Sequence, residues 1–136
     1  MLHLLDTSAL LAHFRNEPGA AQVQAIFEND DAEILLSAVS IAEFARRLHS
    51  LGAEPAETMD IIARYGQAIG EIIPVDAGVA RASFELSLEL PGRLLLADAL
   101  IAATAQSRHA ILVHRDAHMR AIPSTLLDQL DLDAGP

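Results

Sequence analysis

The sequence contains no cysteine, no tryptophan and no lysine, and two of these absences remove a class of chemistry. Without cysteine there is neither a disulfide framework nor a thiolate nucleophile. Without lysine the chain has no P-loop, whose lysine reaches nucleotide phosphates, and no Schiff-base mechanism. All nine basic residues are arginines, and against 19 acidic residues they leave a net charge of -10. This balance argues against simple electrostatic binding to nucleic acid, but it allows an enzyme whose acids are clustered around cations.

Long apolar runs are also missing, because no stretch approaches the roughly 18 residues that cross a membrane. The first residues, MLHLLDTSALL, show neither a basic region nor a small-residue cleavage site. We therefore expect no secretory signal and a cytoplasmic protein. Hydrophobic residues make up 51% of the 136, enough for one packed domain over residues 1–136. Only the last few residues, DLDAGP, are expected to be loose.

Short apolar runs alternate with amphipathic segments along the chain. Strands are predicted at residues 2–5, 33–36, 72–75, 110–113 and 130–132. Helices are predicted at residues 8–15, 19–28, 39–51, 56–69, 76–90 and 97–108, with a short one after Asp116. This alternation predicts an α/β domain with a mainly parallel sheet between helical layers.

A single carboxylate, Asp98, interrupts the apolar stretch LLLADALIAATA at residues 94–105. A buried ionised group is costly unless it is paired or holds a metal. The residues three and four positions away on either side are all apolar, so none of them is a helical ion-pair partner. The partner of Asp98 must come from elsewhere in the fold or from solution.

Three other acids occupy similar places relative to the predicted strands. Asp6 follows the first strand directly, Asp116 follows the fourth, and Glu43 lies in the first turn after the second. Because functional residues gather at the carboxyl ends of parallel strands, we expect these acids and Asp98 to converge. Carboxylate oxygens suit Mg²⁺ or Mn²⁺, and such a site activates water and neutralises charge on a phosphodiester.

Each of these acids also has a structural interpretation. Asp6 suits a helix cap and Asp116 suits a turn. Glu43 stands three residues after Ser40, which is the capping-box spacing, and four before Arg47, which allows a surface ion pair. Taken singly, the residues therefore leave both interpretations open, and only their combination favours a metal site.

Two further groups near the acids are interpreted as non-ligands. His114 and His118 lie four residues apart on either side of Asp116, and we expect them to be solvated or near phosphate. Asp76 follows the third predicted strand, and we expect it to act only as a helix cap.

Four segments, in this order and spacing, resemble a known family. LLDTSALL at 4–11, SAVSIAEF at 37–44, LADALIAATA at 96–105 and HRDAHM at 114–119 resemble the PIN domain. The length resembles the single-domain VapC toxins of bacterial and archaeal toxin–antitoxin pairs. The resemblance covers almost the whole chain and implies a three-layer α/β/α fold with a mainly parallel sheet of four to five strands. It also implies an Mg²⁺- or Mn²⁺-dependent endoribonuclease, a hydrolase that leaves a 5′-phosphate and a 3′-hydroxyl.

The resemblance further implies roles for single residues. The positions that match the conserved acids of the family are Asp6, Glu43, Asp98 and Asp116. Asp6 and Asp98 would be the main metal ligands, and the other two would complete the site directly or through water. A hydroxyl beside the first acid, Thr7 or Ser8, would orient it. The last motif departs from the family pattern, because His114 replaces a small hydroxyl residue and the aromatic residue that usually follows is absent.

Partners follow from the same resemblance and from the apolar helices. Arg47, Arg115 and His114 are candidates for contacts with the RNA backbone, although arginines on helix faces are also commonly just solvated. The helices at 39–51 and 56–69 carry more apolar surface than a small monomer covers easily. As the resemblance implies, we expect them to form a groove for an antitoxin helix and part of a homodimer contact, or of a larger toxin–antitoxin assembly.

Two other functions remain open at this stage. A PIN-like scaffold could bind RNA or protein with weak catalysis or none, although the presence of all four acids argues against it. A DNA-directed nuclease is the other alternative, and the chain lacks the arch or helical insertions that such relatives carry.

Overall fold

Five short strands form the centre of the fold, which the computed structural model describes over residues 1–134. They are β1 (Leu2–Leu5), β2 (Glu33–Ser37), β3 (Glu71–Ile73), β4 (Ile111–His114) and β5 (Gln129–Asp131). Their order in the sheet is β3-β2-β1-β4-β5, and all four pairings are parallel. The predicted α/β class and parallel sheet are thus confirmed.

Seven helices connect these strands within the described residues. They are α1 (Thr7–Phe14), α2 (Ala20–Glu28), α3 (Ala38–Ser50), α4 (Pro55–Ala68), α5 (Ala77–Leu88), α6 (Leu96–Ser107) and α7 (Ala117–Arg120). The predicted bounds differ from these by one or two residues. Between residues 1 and 134, none of these helices combines the length and apolar character needed to cross a membrane.

Successive residues of each strand face opposite sides of the sheet, and this builds two separate cores. Leu4 packs on one side with Ile101 of α6 and Met119 of α7. Leu5 packs on the other with Leu10 of α1 and Phe44 of α3. A sheet that is buried on both faces explains why consecutive apolar residues occur in its central strands, as at Leu4–Leu5 and Ile34–Leu36, rather than a strict alternation with polar ones.

The order of the strands creates a crevice between β1 and β4. From β1 the chain continues to β2 and β3 on one side, whereas from β4 it continues to β5 on the other. Such a reversal between neighbouring parallel strands opens a crevice at their carboxyl ends, where open α/β sheets bind ligands. Asp6 follows β1 at this edge, and its N–H still donates to Val113 O of β4 at 2.9 Å. The topology therefore brings the ends of the first and fourth strands together.

The end of the chain differs from the expectation of a loose tail. Asp131 belongs to β5, and the buried Leu132 donates its N–H to His114 O at 2.8 Å. Asp133 accepts a hydrogen bond from Arg115 Nε at 2.9 Å. The segment DLDAGP has only one large apolar residue, but this Leu132 is buried, and Asp133 forms an ion pair. These two contacts hold residues 131–133 against the rest of the fold. The final two residues, 135 and 136, lie outside the described part of the chain.

Candidate active site

Asp6 lies where β1 ends and α1 begins, and it acts as the N-cap of that helix. Its Oδ2 accepts the backbone N–H of Ser8 at 3.2 Å and the Ser8 hydroxyl as well. Within residues 1–134 no donor reaches Oδ1. The side chain is almost completely buried, and this burial raises its pKa above the usual value. The Ser8 hydrogen bonds oppose the rise, and the charges of Asp116 and Glu43 add to it.

Glu43 lies one turn into α3, and its carboxylate is held by a hydrogen bond from a residue that is distant in sequence. Its Oε1 accepts the Thr7 hydroxyl at 2.7 Å, and Thr7 Oγ1 lies 3.1 Å from Ser40 Oγ. The helix is capped by Ser37, so Ser40 does not form the capping box that its spacing suggested. The two neighbouring hydroxyls have different tasks, since Ser8 orients Asp6 and Thr7 orients Glu43.

Asp98 lies in the first turn of α6, and only 9% of the residue is exposed. No donor within residues 1–134 hydrogen-bonds its carboxylate, although the residue lies among apolar neighbours. Burial raises its pKa to about 6, with further contributions from the charges of Asp116, Asp6 and Glu43, while His118 opposes the rise. A carboxylate with two free oxygens and three acidic neighbours is suited to a cation.

Asp116 and His114 form the fourth part of the site, at the end of β4. Asp116 caps α7, since its Oδ1 accepts the backbone N–H of His118 at 2.8 Å. The Asp116 N–H itself donates to Nδ1 of His114 at 3.1 Å. Nε2 of that ring must then carry the hydrogen, which it donates to Gln129 Oε1 at 2.7 Å. Gln129 in turn donates to the carbonyl of Ile122 at 2.8 Å.

His114 was predicted as an RNA contact, and the structure corrects this prediction. The residue is fully buried and both ring nitrogens are already engaged within the protein. It accepts a backbone N–H two residues further on, as a serine or threonine at this position would do. His114 thus makes the kind of hydrogen bond to the following backbone that a hydroxyl residue could make, and Gln129 is the partner that sequence reasoning missed.

Three of the side chains form a compact group of ligand atoms. One atom each from Asp98, Asp116 and His118 lie within 4.8 Å of one another. An octahedral ion with bonds of about 2.1 Å separates its ligand atoms by about 3 to 4 Å, so small rotations would close this group around one ion. Asp6 and Glu43 lie outside the compact group, but their charges act on Asp98. The donor set thus fits a divalent cation, and it includes a histidine that the sequence had suggested was a non-ligand.

Two of the arginines near the site are engaged with acids. Arg115 Nε donates to Asp133 at 2.9 Å, and its guanidinium lies 3.7 Å from Glu17. Arg120 is paired with Asp131 of β5 and with Asp133, which follows that strand. By contrast, Arg47 is exposed near the end of α3, and within residues 1–134 it has no ion pair, not even with Glu43. Of the three residues predicted to contact RNA, Arg47 has the fewest interactions with other side chains within residues 1–134.

Among the exposed apolar regions of residues 1–134, two are the most relevant to partner binding, and single exposed residues such as Leu51 and Met59 lie at α3 and α4. The first is a cavity of about 380 Å³ between α1, α2 and α4, lined by His13, Phe14, Gln24, Phe27, Ile61, Arg64, Tyr65 and Ala68. The second, which we call the α5–α6 patch, consists of Phe84, Leu88, Leu95 and Leu96, all largely exposed. The inner stripe of α3, with Phe44 and Leu48, is buried in the core instead. Helix α4 thus lines the larger cavity without α3, while a smaller apolar pocket is lined by Ile41 of α3 and Ile62 of α4, so a partner contact on these two helices stays a prediction.

Comparisons with known proteins agree with this fold. A model of the PIN domain family matches residues 3–124. The structure of VapBC2 from Rickettsia felis, bound to a DNA fragment from its promoter, is similar with a TM-score of 0.76, 20% identity and coverage of 96% of this chain and 98% of that one. VapBC-1 from nontypeable Haemophilus influenzae has a TM-score of 0.75 at 18% identity, covering 98% and 99%.

A third similar structure is the sarcin–ricin loop cleaving toxin VapC20 of Mycobacterium tuberculosis. Its TM-score is 0.68 at 13% identity, covering 88% of this chain and 93% of that one. At such identities the likeness to solved structures shows a common fold. Among curated protein sequences, none matches the chain.

Proposed function

We propose, from the premise that the chain belongs to the PIN domain family of nucleases, that it is a divalent-metal-dependent endoribonuclease and the toxin of a toxin–antitoxin pair. The observation that carries this proposal is Asp98. Its carboxylate is nearly buried, has no donor within residues 1–134, and shares the end of the crevice with Asp116 and His118. A group in that state needs a cation, and a cation at this edge of the sheet faces solvent and substrate.

The four acids have different roles in the proposed site. A divalent cation bound here supplies Lewis-acid stabilisation of the phosphodiester charge and activation of a water molecule. Asp98 and Asp116 would hold the ion, with the free Oδ1 of Asp6 available beside them. Glu43 is fixed by Thr7 through one oxygen, which leaves its other oxygen free to accept a proton from the attacking water.

RNA is proposed as the substrate because of one of the structural relatives. VapC20 is described as cleaving the sarcin–ricin loop, which is an RNA, and its fold resembles that of this chain. Arg47 is exposed in the last turn of α3, four residues after Glu43 on the same helix, and offers a contact to the RNA backbone. Cleavage of cellular RNA would place the action of the protein in the cytoplasm.

An antitoxin is proposed as a partner from the VapBC complexes and from the groove between α1, α2 and α4. The groove is lined by aromatic rings, and Tyr65 OH lies 2.6 Å from Nδ1 of His13. An amphipathic helix fits such an apolar groove through its own apolar face. The net charge of -10 favours a basic partner, and an arginine of that partner could enter the acidic crevice and exclude the metal.

Cleavage of RNA is tested by incubating the purified chain with total RNA in Mg²⁺, in Mn²⁺ and in EDTA, followed by mapping of the new ends. We expect metal-dependent cuts with 5′-phosphate ends. Asp98→Asn should lower the rate on the order of 100-fold or more, because metal-based charge stabilisation is worth several kcal/mol. The matched control is Asp76→Asn, since Asp76 only caps α5 through its bond to Val79 N at 2.9 Å.

The same experiment separates the rival function, a PIN-like module that binds RNA without cutting it. Intact RNA that migrates more slowly with the protein, equally in Mg²⁺ and EDTA, would support the binding module and contradict the nuclease. Full cleavage by Asp98→Asn in EDTA would contradict the metal site itself.

A further inference from the structure

We propose that His118 is a nitrogen ligand of the metal site and makes the site prefer Mn²⁺ to Mg²⁺. The proposal rests on the function proposed above, because it concerns the same cation. It adds to that function a residue outside the set of four acids and a reason for a choice between two metals.

The position of His118 is fixed by the acid beside it. Its backbone N–H donates to Asp116 Oδ1 at 2.8 Å, and its ring Nδ1 lies 3.1 Å from the same oxygen. A ligand atom of Asp98 completes the group within 4.8 Å. The imidazole therefore lies where the two carboxylates converge, and it is one of the three side chains closest to a common centre.

The ring is also free to adjust. The side chain is exposed, and within residues 1–134 its only hydrogen-bond partner is Asp116. Beside it lies a cavity of about 160 Å³ between the α5–α6 connection and α7, with Arg93 on the opposite wall. A change of side-chain rotamer can thus turn a ring nitrogen towards an ion without displacing packed residues.

The chemistry of the ligands then distinguishes the metals. Mg²⁺ strongly prefers oxygen and keeps several of its waters, whereas Mn²⁺, which also favours oxygen, accepts an imidazole nitrogen more readily than Mg²⁺ does. A site of carboxylates alone would serve both ions. Adding one nitrogen ligand strengthens binding of Mn²⁺ and gives Mg²⁺ little, so the histidine should act on affinity for one ion and not for the other.

The test is a titration of the purified chain with Mn²⁺, followed by electron paramagnetic resonance, with Mg²⁺ affinity obtained by competition. In the wild type, electron spin echo modulation from a nitrogen nucleus should appear on bound Mn²⁺. In His118→Ala this nitrogen signal should vanish, and Mn²⁺ affinity should fall about tenfold, while Mg²⁺ affinity changes less than about twofold. His49→Ala, an exposed histidine at the far end of α3, is the matched control and should leave all three readouts unchanged.

The outcomes distinguish this proposal from the proposed metal-dependent nuclease function. Bound Mn²⁺ without a nitrogen signal in the wild type, or with an unchanged signal in His118→Ala, overturns the role of His118 and leaves the metal-dependent nuclease standing. Failure of the wild type to bind either ion overturns both proposals. Loss of binding of both ions in Asp98→Asn, with the fold checked by circular dichroism, locates the ion in this crevice.

Discussion

Asp6 and Asp116 each use one carboxylate oxygen for the fold and leave the other without a donor in the described chain. In both residues one oxygen caps a helix, α1 or α7 respectively. Capping fixes the side chain in one rotamer, and this points the second oxygen in a defined direction. The capping role of these acids is therefore compatible with the proposed metal site, so the two interpretations that residue type and spacing left open do not exclude each other.

The same crevice predicts a stability that depends on pH. The pKa of Asp98 is raised to about 6 from its usual 3.8, so the folded protein binds this proton more tightly than the unfolded chain. Ionisation therefore disfavours the fold by an amount that grows between about pH 4 and pH 6 and is complete above pH 6. At about 1.4 kcal/mol per pKa unit the shift sets an upper limit of about 3 kcal/mol, and screening by solvent at the open side of the crevice reduces the penalty to about 1 to 2 kcal/mol.

We therefore expect Asp98→Asn to be more stable than the wild type without metal at pH 7.5, and the difference to shrink as the pH falls towards 4. The measurement is thermal unfolding of both proteins in EDTA across this range. Asp76→Asn, a change of the same kind in an exposed cap, should show no such gain. A variant less stable than the wild type at pH 7.5 would mean that Asp98 is held by a favourable partner.

At the scale of the elements, the positions of strands and helices could be predicted, but several contacts between them could not. Apolar runs and helical periodicity are local signals, so the element bounds lie within one or two residues of those predicted. The bonds of Thr7 to Glu43 and of His114 to Gln129 span 36 and 15 positions. Such pairs depend on how elements are arranged in space, and the groove between α1, α2 and α4 was missed for the same reason.

One such contact joins the start of α2 to the end of the chain, and it requires a glycine. Gly19 has φ of +98°, and a Cβ placed on it would lie 2.7 Å from Cβ of Leu132. Gly19→Ala should therefore destabilise the protein by about 1 to 3 kcal/mol, through backbone strain and through displacement of that buried leucine.

The chain contains a matched control for this change in Gly66, inside α4. A Cβ there would meet nothing within 4 Å, and α4 runs through this position. Gly66→Ala should stabilise by about 0.4 to 1 kcal/mol, since alanine loses less backbone entropy in a helix. Urea unfolding of both variants checks the pair, and equal effects of the same sign would contradict the role assigned to Gly19.

At the scale of the whole molecule, the distribution of charge limits how the proposed RNA substrate could be bound. The chain has nine arginines, and several are occupied by acids, as Arg64, Arg108, Arg115 and Arg120 show. An excess of acidic residues repels a polyanion everywhere except where cations collect. A metal ion in the crevice and a few exposed arginines such as Arg47 would then supply most of the attraction for RNA. In a dimer, a second copy of the chain would add its own metal ion and arginines.

We propose the α5–α6 patch as a contact for a second copy of the chain, an alternative to the contact on α3 and α4 that the sequence predicts. Phe84 and Leu88 lie one turn apart on α5, Leu95 and Leu96 lie at the start of α6, and the two helices pack against each other. Exposed apolar residues on neighbouring elements are unfavourable in water. Leu96 is two residues before Asp98, so a symmetric contact here would bring two acidic crevices near each other. A homodimer of this kind would present one continuous surface to RNA.

We expect the purified chain to sediment as a dimer at tens of micromolar and Phe84→Glu to sediment as a monomer, because a charge in the centre of an isologous contact occurs twice. Met59→Glu is the matched control, since Met59 is 62% exposed on α4 and Phe84 is 64% exposed on α5. Analytical ultracentrifugation over a range of concentrations makes the comparison. A wild type that stays monomeric at the highest concentration would assign the patch to another partner, and a dimer that only Met59→Glu dissociates would move the contact to α4.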